Sequence, residues 1–369
     1  MPFPPSDYMV ASAPALSDCV WAKAHIAREP PFWMCTYNRT LDVWVSRRIQ
    51  DRRYHCFECD QVERMLKMLK KARSEPTSSR PDGTGCRFAA ATSYRAPLLV
   101  DVGGNIGMYS LAAAASCFEA VTFEPVPINA HKIITSARRN GFAGRLHVYT
   151  VGASDSFGAF DMGESTTNQG EATHTAAKTS KQSLLGTGVA RIPVGKLDDM
   201  MPLDSWPRTR PVYVKIDVEG GECRALRGMQ KFLQGSTIIG FQIETGQPAT
   251  RACCEELVAW PHGAFSVLRH RHNLCIRDLS NQSAEYPIGY PMRVDTMCQY
   301  ANPRYIYPPA GWKGPLSGKG KYRDPWPWEV VFVPCEPGKD AMTPPPSVVQ
   351  QLRKQQQNKP ATKLSWLPW

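Results

Sequence analysis

Three groups of residues in this sequence have types and spacings that could do chemistry. Asp101, Gly103, Gly104, Asn105 and Gly107 stand in the run Leu98-Leu-Val-Asp-Val-Gly-Gly-Asn-Ile-Gly107, an apolar strand feeding a glycine turn. Glycine at such a turn lets backbone approach a ligand where a side chain would clash. Glu124 comes seventeen residues after Gly107, at the end of the apolar stretch Ala120 to Phe123. At that spacing a doubly wound nucleotide fold offers a carboxylate to ribose hydroxyls. Lys215, Asp217 and Glu219 lie in the second group, Val212-Tyr-Val-Lys-Ile-Asp-Val-Glu-Gly-Gly-Glu222, and Glu244 ends the third, Gly240-Phe-Gln-Ile-Glu244.

The turn discriminates between nucleotide ligands. A dinucleotide fingerprint needs two further glycines, but counting from Gly103 those positions hold Asn105 and Met108. Asp101, just ahead of the turn, would oppose a pyrophosphate and suits a cationic ligand. S-adenosylmethionine fits: its sulfonium and ammonium are positive, and it carries a ribose for Glu124.

Taken together, the Val-Asp-Val-Gly-Gly-Asn-Ile-Gly turn and the Lys-Ile-Asp-Val-Glu-Gly strand end resemble the FkbM family of S-adenosylmethionine-dependent methyltransferases. Val151 to Gly158 resembles that family's third strand and turn, and Leu197-Asp198 the pair before its fourth strand. Asn168 and Gly170 resemble its Asn-x-Gly, and Gly240 to Glu244 its fifth strand. The resemblance covers roughly residues 95 to 335, with one departure: Gly104 stands where the family usually has alanine. It implies Asp101, Gly103 and Asn105 near the methionine moiety and Glu124, followed by Pro125, at the ribose. Ala153, Ser154 and Asp155 would then lie near the adenine.

Methyl transfer from a sulfonium is an in-line displacement, so positioning supplies most of the rate. What remains is a group to take the proton of an acceptor hydroxyl or amine. Asp217, Glu219 and Glu244 end strands, where ligands bind in open α/β sheets. They could orient the acceptor, remove its proton, or hold a divalent ion that lowers the hydroxyl's pKa. Alternatively, Glu219 and Glu222 cap the following helix, while Lys215 pairs with a carboxylate or steers an acidic acceptor.

The pattern of strands alternating with helices predicts an α/β fold of the class I methyltransferase type, Rossmann-like. Its seven-stranded, mostly parallel sheet would carry helices on both faces, behind an N-terminal extension. Three regions are expected: an extension at 1–95, the methyltransferase domain at 96–335 and a disordered tail at 336–369. Within the extension, residues 1–35 read as irregular, Leu41 to Ser46 as a strand, a box at Asp60 and Glu63 as a helix start, and 74–95 as a linker. In the core, a single helix is expected from Glu222 to Leu233, and Ala264 to Ile276 with Glu329 to Val333 as a closing antiparallel pair. Residues 162–190 read as a polar loop, and Tyr286 to Trp312 as an aromatic segment with interleaved Arg and Lys that could stack a sugar or base.

With 369 residues, 42% of them hydrophobic, the chain can bury a full core. Its net charge of +11 is scattered over the sequence, which favours a solvated surface over a nucleic-acid footprint. Twelve dispersed cysteines, Cys117 and Cys223 among them at core positions, read as buried thiols of a reducing compartment. Cys56 and Cys59 form a lone C-x-x-C without a second pair for zinc. Two sequons begin at Asn38 and Asn281. With no membrane-length apolar run and no basic leader, the expectation is a cytoplasmic protein.

These readings converge on an S-adenosylmethionine-dependent O-methyltransferase acting on a small-molecule or glycan hydroxyl. The alternatives are an RNA or protein methyltransferase, and a binding protein that kept the fold without turnover.

Overall fold

The computed structural model describes residues 18–51, 53–73, 96–164, 172–173, 190–201, 209–244, 268, 272, 274–278 and 329–334. The chain opens on a hairpin of β1 (Val20–Ala24) and β2 (Phe32–Thr36), paired antiparallel, where an irregular segment was expected. No strand forms over Leu41 to Ser46; the chain turns instead into a short helix, α1 (Val45–Gln50). The reason is Asp42, whose carboxylate accepts hydrogen bonds from Val45 N (3.1 Å), Ser46 N (2.9 Å) and Ser46 Oγ (2.6 Å). That satisfies amide groups a helix start leaves open. The second helix, α2 (Cys59–Ala72), starts ahead of the expected Asp60 box, yet buries Val62, Met65, Leu66 and Leu69 as one apolar face.

The core then alternates: β3 (Leu98–Val102), α3 (Met108–Ala115), β4 (Glu119–Phe123), α4 (Pro127–Arg139) and β5 (Leu146–Tyr149). A small sheet follows from β6 (Gly152–Ala153), β7 (Gly158–Glu164), β8 (Ala172–Thr173) and β9 (Ala190–Gly195), ordered β6-β9-β7-β8. After α5 (Leu197–Met200) and β10 (Pro211–Ile216), the expected single helix is two, α6 (Glu222–Arg227) and α7 (Gln230–Gly235). The break falls at Gly228, where only glycine fits because a Cβ would lie 1.8 Å from the Ser154 carbonyl oxygen. Asp198 restarts the helix by accepting hydrogen bonds from Lys231 N (3.0 Å) and Phe232 N (2.8 Å). The chain ends its described course in β11 (Thr237–Glu244), β12 (Leu274–Asp278) and β13 (Glu329–Pro334).

The main sheet has the order β12-β13-β11-β10-β3-β4-β5. Strands β11, β10, β3, β4 and β5 run parallel, while β13 is antiparallel to both β11 and β12. Because successive strand side chains face opposite ways, Leu98, Val100 and Val102 enter one core with α6 and α7, and Leu99 the other with α3 and α4. Hairpin β1–β2 and helix α2 join that second core, so the N-terminal segment is built onto the sheet. Met1–Pro334 form one compact unit and Cys335–Trp369 a second, which lies outside the described residues. The 74–95 linker, most of the 162–190 loop and the aromatic segment lie outside them too.

The cysteine expectation is corrected. Cys19 pairs with Cys35 and Cys56 with Cys59, Cys117 and Cys223 are also disulfide-bonded, and no free thiol occurs among the described residues. Spacing alone could not show this, because bridging depends on which Cβ atoms the fold brings together. The ground the cysteines offered for a reducing compartment is thereby removed.

Candidate functional site

At the end of β3 the chain turns through Gly103 and Asn105, both at positive φ (85° and 49°), before α3 begins. Gly103 N donates to Phe123 O at 2.8 Å, which fixes the turn against the end of β4. Glu124, the next residue, is 4% exposed and holds the turn from the other side. Its Oε2 accepts from Asn105 N (2.7 Å) and its Oε1 from Val126 N (2.9 Å) and Asn129 Nδ2 (3.3 Å). Burial pushes Glu124 up to about 7, against the pull of those donors. Asp101 is 1% exposed, and burial raises it as well, although Lys215 and the Ser110 hydroxyl work the other way.

Lys215, from β10, reaches the same turn. Its Nζ donates to Gly103 O (3.0 Å) and pairs with Asp217 Oδ2 (3.1 Å). Burial disfavours its charge, but Asp217, Asp101 and Glu58 outweigh this and raise it above its usual value. Asp217, Glu219 and Glu244 each bring a carboxylate oxygen within 4.8 Å of the others. Carboxylates this close cannot all remain charged unaided. Two arrangements would relieve the repulsion: a proton on Glu244, which burial and the charges of Asp217, Glu219 and Glu222 push up to about 11, or a divalent ion held by the three carboxylates. Glu222 is fully buried and accepts from Val218 N (3.0 Å) and Gly220 N (3.1 Å), so it holds the turn rather than facing a ligand.

A cleft of about 780 Å³, its open mouth included, joins these features. Of the residues singled out from sequence, Gly103, Asn105, Glu124, Pro125, Ala153, Asp217 and Glu219 line it. Gly104 and Gly107 pack instead against Thr122 and Ile133, while Asp155 forms an ion pair with Arg227 (2.6 Å) beside the buried Ser154. Asp101, Lys215 and Glu244 do not line the cleft. Sequence reasoning missed Phe160, Ile192, Val194 and Arg224, which also line the cleft. Ile192 and Val194 do alternate in the strand manner, but alternation does not say which face meets a ligand. It also missed Glu58, whose Oε2 accepts from Tyr109 OH at 2.8 Å and whose charge acts on Lys215.

Two buried oxygens near the turn, Asp101 Oδ1 and Asn105 Oδ1, have no hydrogen-bond partner among the described residues. A buried acceptor without a donor is costly and rare, so a ligand bearing N–H or O–H groups suits the wall at Asn105, which lines the cleft.

Residues 101–271 match the family model described as the methyltransferase FkbM domain. No curated protein matches the chain. Among solved structures, methyltransferase FkbM from Methylobacillus flagellatus KT is 19% identical with a TM-score of 0.31, over 57% of this chain and 46% of that one. This chain therefore spans under half the length of that relative. A human methyltransferase 10 domain containing protein is 8% identical (TM-score 0.28; 60% of this chain, 77% of that one). Cofactor-bound Rv0187 from MTB is 11% identical (TM-score 0.27; 74% and 89%). Scores this low bear on neither the mechanism nor the substrate.

Proposed function

We propose that this chain is an S-adenosylmethionine-dependent methyltransferase with the class I arrangement of its sheet, and that it methylates a hydroxyl of a small molecule or glycan. The observation that carries the reading is the shared cleft: Gly103, Asn105 and Glu124 from the glycine turn line the same space as Asp217 and Glu219 from the strand-end motif. The family match supports methyl transfer. The donor reading rests on the orphaned acceptor Asn105 Oδ1 on the cleft wall, which suits an ammonium, and on Glu124 beside the turn. Glu124 Oε2 has a lone pair to spare for a ribose hydroxyl. Phe160, Ile192 and Val194 offer the apolar wall an adenine needs; Asp155, engaged with Arg227, would hold that wall in place.

The donor supplies an activated methyl group. The protein's part is to line up acceptor and donor, exclude water and remove the acceptor proton. A hydroxyl is favoured because carboxylates gather where the acceptor would stand, and a hydroxyl must lose its proton as its oxygen is methylated. The domain division at 95 and 335 belongs to this reading. The disulfides support an oxidising compartment for the protein, against the cytoplasmic expectation.

Calorimetry with S-adenosylmethionine tests the central claim. Binding is expected in the native protein, with affinity reduced at least about tenfold in Glu124→Ala. Absence of binding to the native protein would refute the donor assignment.

A further inference from the structure

Cys56 and Cys59 stand ahead of the matched family domain, which begins at residue 101, and the function above makes no use of them. Their disulfide joins residues only 3 apart in sequence, where Cys19–Cys35 spans 16. A loop that short constrains the unfolded chain little, so opening it costs the fold less than opening the hairpin bridge. The backbone bends sharply to make it. His55, just before the bridge, and Glu58, inside it, are both held in the left-handed region, at φ 55° and 51°. Glycine would take such angles without strain; other residues keep them only where the surroundings impose them.

The bridge is also within reach. Cys56 is 4% exposed, but Cys59 is only partly covered, whereas Cys35 in the hairpin bridge is fully buried. Strained or accessible disulfides are the ones that exchange with thiols. Each sulfur has a destination once the bridge opens. Cys59 is the first residue of the 14-residue helix α2, whose amide end stabilises a thiolate. Cys56 Sγ stands 3.2 Å from Tyr54 O, a ready acceptor for its S–H.

What the bridge holds in place reaches the cleft at second hand. Glu58 does not line the cleft, but its Oε2 accepts from Tyr109 OH (2.8 Å), and Tyr109 is the second residue of α3, the helix that follows the glycine turn. The Tyr109 ring lies 5.2 Å from Lys215 Nζ, which donates to Gly103 O (3.0 Å) and pairs with Asp217 (3.1 Å). Gly103 and Asp217 do line the cleft.

We propose that Cys56–Cys59 is a thiol–disulfide exchange site whose partner is a dithiol, and that its state sets how firmly the glycine turn is held for the donor. The second half rests on the methyltransferase reading above. In the exchange, a partner thiolate attacks Cys59 Sγ. A new S–S bond forms, the Cys56–Cys59 bond breaks, and its electron pair leaves on Cys56, which takes a proton. The partner's second thiolate then attacks the partner's own sulfur in the mixed disulfide, and Cys59 leaves as the thiolate at the start of α2. Two electrons have passed from the dithiol, which ends as a disulfide. In the opened turn Glu58 is free to leave the left-handed region. Tyr109 then loses a fixed acceptor, and Lys215 one of the three carboxylates whose charge acts on it.

Three measurements on the full chain test this. The folded protein is equilibrated with graded mixtures of reduced and oxidised dithiothreitol, acid-quenched, alkylated and digested for mass spectrometry. Cys56–Cys59 is expected to open at a reduced-to-oxidised ratio at least about tenfold below the one that opens Cys19–Cys35. Opening of both bridges together overturns the exchange site. Amide hydrogen exchange in the peptide over 98–110 should run at least about fivefold faster once this one bridge is open. Cys56→Ser/Cys59→Ser should exchange at the opened rate with or without reductant. A rate unchanged by opening overturns the coupling to the turn. Calorimetry with S-adenosylmethionine should give the opened form an affinity at least about fivefold below that of the oxidised form. Equal affinities overturn the coupling to the donor. Absence of binding to the oxidised native protein defeats the methyltransferase reading instead, and the first two measurements then decide the exchange site and its hold on the turn.

Discussion

A Cβ built on Gly103 would lie 1.7 Å from the carbonyl oxygen of Asp217. The glycine turn and the strand-end motif, over a hundred residues apart in sequence, are thus in backbone contact. Asp217 N donating to Val102 O at 3.0 Å fastens them. At φ 85° with no room for a side chain, Gly103→Ala is expected to cost at least about 2 kcal/mol, from the clash and the positive φ together. Urea unfolding checks it; an unchanged midpoint would mean the turn opens freely.

Gly104 explains the departure from the family pattern. A Cβ there would meet Thr122 Cγ2 at 2.2 Å, so alanine at 104 and threonine at 122 exclude each other. Gly104→Ala alone should destabilise the protein by about 1–3 kcal/mol through overpacking. Thr122→Ser removes the opposing methyl and keeps the hydroxyl near Ser110 Oγ. In the double variant most of the loss should be recovered, and additive losses in a double-mutant cycle would disprove the pairing.

Stability should depend on pH through Glu124. Its folded value near 7 lies above the ordinary carboxylate value, so between about pH 4.5 and 7 the native state holds a proton that the unfolded chain has released. The stabilisation is complete below that window and is lost as pH rises through it. Glu124→Gln, which cannot titrate, should flatten this part of the profile by something on the order of 3 kcal/mol. Parallel profiles for variant and native protein would show that Glu124 titrates normally.

Lys215→Met should leave Asp217, Asp101 and Glu58 without their shared cation. Removing one partner of a buried pair costs about 3–5 kcal/mol, and Asp217 is 27% exposed, which places the loss near the lower end. The same variant should move the Glu58 midpoint above 7, because Lys215 is the charge that lowers it, beside the Tyr109 hydrogen bond. An unmoved midpoint in NMR titration would separate the two residues.

Under denaturing but non-reducing conditions, a thiol-alkylating reagent should leave Cys19, Cys35, Cys56, Cys59, Cys117 and Cys223 unlabelled, as read by peptide mass spectrometry. Labelling at Cys56 or Cys59 in protein recovered from its native source would show that the turn around Glu58 is open there. Exposed Asn38, whose Oδ1 accepts from Thr40 N (3.1 Å), is then the residue to inspect for a glycan in the same digest.

The sequence by itself determined the parallel core strands, the glycine turn and the resemblance that the family model matches over residues 101–271. Each depends on local pattern: an apolar run closed by glycines reads as strand and turn wherever it stands. Asp101, Glu124 and Asp217 were visible for the same reason. Tertiary structure decided what each does. The Ser154 carbonyl lying against Gly228 is why only glycine fits where the helix ends, and Leu41 to Ser46 turns into a helix because Asp42 can cap it. Asp155 meets Arg227 rather than open cleft, Glu244 is pushed up by burial and by three neighbouring carboxylates, and Cys19 bridges to Cys35 across a hairpin the pattern did not reveal. Glu58 had no chemical signature in the sequence at all. Charge states, disulfide pairings and the direction a side chain faces are set by neighbours distant in sequence, and distance in sequence carries no record of proximity in space.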